Sequence, residues 1–210
     1  MNKNKIQIKI LIIGDCNTGK TALVKKITTN KFNSKKNIPT FGINYDNKII
    51  NQYNYQLHCD FWDISGSLEY LSLFEIYLFE SDIVFLCFDV TDLHTLDTIN
   101  TYWLPELLLK HNKHKIPQIY IIGTKCDLNH DQLVINKRLL VIKNTFSQLN
   151  IKSFYFSNKQ MLFSCNELID DYFTKHNLTK TKKKNNKKNL FQKIKKFFTK
   201  NKKINKSKNN

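Results

Sequence analysis

The chain has 210 residues and carries 34 Lys and Arg against 17 Asp and Glu, a formal net charge of +17. That excess is local: residues 178–210 hold 14 Lys and no acid, which leaves 20 basic against 17 acidic residues, a net of +3, for the first 177. A near-neutral body argues against a nucleic-acid-binding domain. Five scattered cysteines without a C-x-x-C pair (Cys16, Cys59, Cys87, Cys126, Cys165) argue against a disulfide framework or zinc site.

The first predicted element is a strand over Lys5–Ile13, whose apolar run is broken by Lys9 and lacks a small-residue cleavage site, so it is not read as a secretory signal. Gly14-Asp15-Cys16-Asn17-Thr18-Gly19-Lys20-Thr21 follows, and Ala22, Leu23 and Ile27 continue it as a helix over Lys20–Thr29. A strand, then Gly-x-x-x-x-Gly-Lys-Thr, then a helix is the context that a phosphate-binding loop requires. Its backbone N–H groups form a positive concavity, Lys20 adds a point charge near the outer phosphates, and the Thr21 hydroxyl is a Mg²⁺ ligand.

Further strands are expected at Ile43–Ile50, Tyr53–Trp62, Ile83–Phe88, Gln118–Ile122 and Ser153–Phe156, and further helices at Leu68–Phe79, Thr95–His111, Asp131–Leu149 and Leu162–His176. Such alternation predicts a mostly parallel sheet covered by helices on both faces, with one antiparallel hairpin turning near Asn51-Gln52 at an edge. Ligands of such sheets bind at the carboxyl ends of the strands. No apolar run approaches the 18 residues that cross a bilayer.

Two carboxylates compete to hold Mg²⁺ through water. Asp89 follows the apolar strand Ile83–Phe88; Asp63 follows Tyr53–Trp62 and precedes Gly66 in a D-x-x-G spacing. Asp63 is preferred, because a glycine at 66 lets the backbone approach a terminal phosphate that a side chain would crowd. The base is read by Thr124-Lys125-Cys126-Asp127: a carboxylate at Asp127 accepts two hydrogen bonds from guanine, and adenine offers no such pair. The stem of Lys125 covers the ring face, and Ser157-Asn158-Lys159 supports the same base.

With these residues the chain resembles a Ras-superfamily small GTPase, closest to the Rab group, over roughly Lys5 to His176. The resemblance rests on Ile13-Gly14-Asp15, Pro39-Thr40-Phe41-Gly42-Ile43, Phe61-Trp62-Asp63, Phe88-Asp89-Val90-Thr91-Asp92 and Ile122–Leu128. It implies a P-loop NTPase fold of six strands, GTP or GDP with Mg²⁺ as ligands, and metal contacts from Thr21, Thr40 and Asp63. It implies that Phe32 packs edge-on against guanine and that Lys20, Thr40, Gly66 and Ser67 surround the reacting phosphate. Residues 32–45 and 63–79 would be switches that meet effectors and regulators, and a monomer is expected. Ser67 stands where the family has its water-orienting glutamine, which predicts slow hydrolysis. Asn17 stands at a usual glycine, and Thr124 replaces the usual Asn.

Residues 1–177 thus read as the nucleotide domain and 178–189, almost purely Lys, Asn and Thr, as a disordered basic linker. Residues 190–210 read as a basic amphipathic tail. On a helix, Leu190, Phe191, Ile194, Phe197, Phe198 and Ile204 fall within an arc of about 140°, opposite Lys193, Lys195, Lys196, Lys200, Lys202 and Lys203. Docking of 190–204 on an anionic membrane surface or acidic partner is the preferred reading; a solvated tail and nucleic-acid binding are the alternatives. With Asn2 at the start and no cysteine after Cys165, the expectation is a cytoplasmic protein attached peripherally without a myristoyl or prenyl anchor.

Overall fold

The computed structural model describes residues 4–31, 39–52, 55–110 and 116–157. Six strands form one sheet in the order β2-β3-β1-β4-β5-β6: β1 (Asn4–Ile13), β2 (Ile43–Gln52), β3 (Tyr55–Ile64), β4 (Ile83–Asp89), β5 (Gln118–Thr124) and β6 (Ile151–Tyr155). All neighbours are parallel except the edge pair β2–β3. The hairpin is where the sequence puts it, but the turn is later: Gln52 still pairs with Tyr55.

Every residue of β4 is buried, and β5 is buried from Ile119 to Thr124, so helices cover both faces at the centre. That explains the unbroken apolar runs Ile83–Phe88 and Ile119–Ile122. The helices are α1 (Lys20–Thr29), α2 (Leu71–Leu78), α3 (His94–Thr98), α4 (Leu104–Lys110) and α5 (Gln132–Thr145). Asp131, read as the first helical residue, is instead the α5 cap, accepting from the N–H groups of Leu133 and Val134 at 3.0 Å each. The chain leaves this helix at Thr145, four residues before the expected end.

Two expected helices are not single α-helices. Leu68–Phe79 begins as a tight 3₁₀ turn, Leu68–Tyr70, before α2. Thr95–His111 is split by a widened π turn at Ile99–Trp103, where the Leu104 N–H bonds the Ile99 carbonyl five residues back. Pro105 has no N–H to give and its ring opposes the carbonyl four residues before it, so the uniform α-helix cannot continue through this point. The π turn ends just before it and leaves Pro105 in the first turn of α4, where no donor is needed.

In the sheet order, the chain moves from β1 to one side at β3 and to the other at β4. A reversal of this kind opens a crevice at the strands' carboxyl ends, and residues 14–19 leave β1 at that end. The expected helix Leu162–His176, the linker and the tail lie outside the described residues.

Candidate functional site

Residues 14–19 form a loop that backbone geometry fixes closely. Gly14 has φ +138°, and a Cβ there would sit 2.2 Å from the Cys87 carbonyl oxygen. Gly19 caps α1 at φ +79°. Asn17 also lies in the left-handed region, at φ +60°, where Asn is one of the few side-chain-bearing residues accommodated with ease. The departure at Asn17 is therefore conformationally tolerable.

Inside the loop, the Lys20 ammonium donates to the carbonyls of Gly14 (2.8 Å) and Asp15 (2.6 Å), and Thr18 Oγ1 donates to the Asp15 carbonyl (2.8 Å). Burial lowers the pKa of Lys20 from its ordinary value. A nearby phosphate favours the charged ammonium and opposes that effect.

One line of hydroxyls then runs from the 39–45 segment to β3. Asn44 Nδ2 donates to Thr40 Oγ1 (3.2 Å), Thr40 and Thr21 hydroxyls lie 2.8 Å apart, and Thr21 donates to Asp63 Oδ2 (2.5 Å). The other oxygen, Asp63 Oδ1, is buried without a hydrogen-bond partner. Burial raises the Asp63 carboxyl above its ordinary value, against the pull of the Thr21 hydrogen bond and the Lys20 charge. Two hydroxyls and a buried carboxylate with one orphaned oxygen are hard donors of the kind Mg²⁺ takes; the set fits that ion.

Asp89, the competing carboxylate, is engaged elsewhere. It meets the Lys125 ammonium at 2.5 Å and the N–H and hydroxyl of Thr91 at 2.9 and 2.7 Å. Asp63 lies within β3 rather than after it, and Asn44 faces it across the β2–β3 ladder. Asn44 escaped the sequence reading because its place at the site depends on that register.

Gly66 is close-packed for a reason the D-x-x-G spacing did not reveal. A Cβ on it would lie 2.5 Å from Gly14 O, Asp15 C and Cys16 N, so the phosphate loop itself excludes a side chain. Ser67, next in sequence, brings its hydroxyl to 3.4 Å from the Cys16 thiol.

At the other end, Thr124 is buried and its hydroxyl lies 2.6 Å from the Thr18 carbonyl and 2.9 Å from that of Phe88. Its side chain is thus a tie between loops. Lys125 takes φ +58°, and the Cys126 N–H bonds the Phe156 carbonyl at 3.3 Å, joining the exposed Asp127 loop to the segment bearing the buried Ser157. Asp15 is likewise tethered by its side chain, to Thr98 and Trp103; its backbone belongs to the 14–19 loop. Phe32, Asn158 and Lys159 lie outside the described residues.

Tyr45, Trp62 and Tyr77 form a row with ring centroids 4.7 and 4.9 Å apart, and Phe41 and Ile76 are exposed apolar side chains. This aromatic face spans β2, β3 and α2.

A family model described as the Ras family matches residues 9–200. The chain is 35% identical over 148 residues to the Ras-related protein RabV of Dictyostelium discoideum, which covers 70% of this chain and 60% of that protein. It is 30% identical over 139 residues to the Rho-related protein racC of Entamoeba histolytica, covering 65% and 68% respectively. The Ras-related protein Rab-26 of Homo sapiens is 26% identical over 129 residues, covering 61% of this chain and 49% of that protein.

Proposed function

The chain belongs to the Ras family of small GTPases, and from that premise we propose that it is a guanine-nucleotide switch that binds GTP or GDP with Mg²⁺ and hydrolyses GTP slowly. The observation that carries this reading is the convergence of Thr21, Thr40 and Asp63, with Asp63 Oδ1 orphaned. It joins the phosphate loop, the 39–45 segment and β3 at one point. When bound, Mg²⁺ supplies charge stabilisation to the phosphate oxygens.

The residues divide the work. Gly14–Thr21, through Ala22, cradle the phosphates with backbone N–H groups, and Lys20 turns its ammonium to the outer phosphates. Thr40 and Gly66 contact the terminal phosphate, and Asp127, helped by Lys125 and the 157–159 segment, pairs with guanine. Hydrolysis is attack of water on the terminal phosphorus with cleavage of its bond to the bridging oxygen, giving GDP and inorganic phosphate. Positioning that water is the weak step: the Ser67 side chain is short and its hydroxyl meets Cys16.

The aromatic face of Tyr45, Trp62 and Tyr77 supports effector docking on residues 32–45 and 63–79. A role in vesicle traffic, like that expected of Rab proteins, follows as part of the proposal. So does peripheral attachment from the cytoplasm through residues 190–204.

Calorimetry with Mg²⁺ tests the central claim. Heat with GTP and GDP but not ATP is expected, and heat with ATP alone overturns it. The Ser67 geometry also favours a second reading, a GTP-binding assembly subunit with little hydrolysis. Nucleotide extracted from the purified protein separates the two: GDP indicates the turning-over switch, GTP the inert module.

A further inference from the structure

The π turn at Ile99–Trp103 belongs to none of the nucleotide motifs, yet it reaches into the phosphate loop. Trp103 Nε1–H donates to Asp15 Oδ1 at 2.7 Å, and Thr98 Oγ1–H donates to Asp15 Oδ2 at 2.7 Å. Both carboxylate oxygens of the loop's second residue are therefore held from outside the loop. The Asp15 carbonyl in turn accepts from Lys20 and Thr18. Asp15 is the joint between the loop and the helical layer.

The widened turn makes this grip possible. Thr98 and Trp103 are five positions apart, which on an α-helix separates them by about 140°. A π turn closes i→i+5 and brings such residues to the same side. Trp103 is also 2% exposed and meets Phe74 of α2 edge-on, with ring centroids 6.0 Å apart. One side chain thus touches the phosphate loop with its N–H and the 63–79 segment with its ring.

We propose that Trp103 is a positioning residue for nucleotide binding, which fixes the phosphate loop through Asp15 and links its state to α2 through Phe74. The inference rests on the guanine-nucleotide reading above. Its content is a coupling between residues 15 and 103, which a double-mutant cycle measures directly.

The test uses the full chain with Mg²⁺ and follows release of a fluorescent GDP analogue. Trp103→Phe keeps the ring against Phe74 and removes the N–H; release about tenfold faster is expected, the loss of one hydrogen bond to a charged group. In an Asp15→Ala background the same substitution should change release less than twofold, because the partner is already gone. A purely structural role predicts equal effects in both backgrounds, and that result overturns the proposal. So does unaltered release from Trp103→Phe.

Should Asp15→Ala fail to fold, Thr98→Val removes the other donor, with accelerated release expected and an unchanged rate counting against the proposal. Independently, the chain has two tryptophans, so Trp62→Phe leaves Trp103 as the sole indole. Its emission should differ between GDP and a non-hydrolysable GTP analogue; identical spectra overturn the link to α2. Failure of the unmodified chain to bind the analogue at all overturns the nucleotide reading itself, an outcome distinct from binding with unaltered release.

Discussion

The Thr124 hydroxyl lies 2.6 Å from the Thr18 carbonyl, across 106 residues of sequence. The segment that ends β5 and the 14–19 loop thus share a buried contact. A second carbonyl, that of Phe88, lies 2.9 Å from the same oxygen. Thr124→Val preserves the shape and deletes the donor, leaving both buried carbonyls without it. An unmade buried hydrogen bond costs about 1–3 kcal/mol, so GDP release should accelerate by roughly tenfold or more. Release kinetics of a fluorescent analogue check this, and Thr124→Ser should retain the slow rate.

Ser67 offers a direct gain-of-function experiment. Its hydroxyl lies 3.4 Å from the Cys16 thiol, and on the proposed reading the side chain falls short of a water at a terminal phosphate. Ser67→Gln supplies the missing length and should speed single-turnover phosphate release by at least tenfold, given the large share of the rate that water positioning carries. An unchanged rate would mean that Ser67 does not limit hydrolysis.

The Asp89–Lys125 pair predicts a pH dependence. Burial pushes the Asp89 carboxyl up, but hydrogen bonds from Lys125 and Thr91 outweigh it and hold the carboxyl below its ordinary value. A group depressed in this way adds stability above its unfolded pKa of about 3.9 and loses it as the pH falls through the folded one. Asp89→Asn should lower the melting temperature at pH 7 by a few degrees, for a partly buried pair worth about 1 kcal/mol. The gap between variant and wild type should close below about pH 4. A gap constant from pH 7 to pH 3 contradicts the ionic origin.

Sequence and structure agree where local pattern decides the outcome. The buried strands announce themselves as apolar runs because both sheet faces are covered, as β4 shows at every residue. Gly-x-x-x-x-Gly-Lys-Thr and D-x-x-G are legible because the backbone tolerates little else there; Gly66 would meet three loop atoms at 2.5 Å with any Cβ. What stayed hidden depends on tertiary register. Asn44 reaches Thr40 and faces Asp63 only through β2–β3 pairing, and Trp103 reaches Asp15 only through a π turn that 3.6-residue periodicity does not reveal. Thr124 was legible as a motif position, but its tie to Thr18 was not.

Cys16 provides a reporter that needs no added fluorophore. Among the described cysteines Cys59 and Cys87 are buried, and burial pushes the Cys87 thiol up to about 12, so it stays protonated at neutral pH. Cys16 is exposed, whereas Cys126 is partly covered. Among the described cysteines a water-soluble maleimide should therefore react first at Cys16, because thiol modification needs access. On the proposed reading a nucleotide cradled by residues 14–21 would cover that thiol, so saturating GDP with Mg²⁺ should slow modification at least tenfold, and chelation of the metal should restore it. Cys16→Ser should abolish the protected phase in peptide mapping. Equal labelling of Cys16 with and without nucleotide would mean that the phosphates do not sit in this loop.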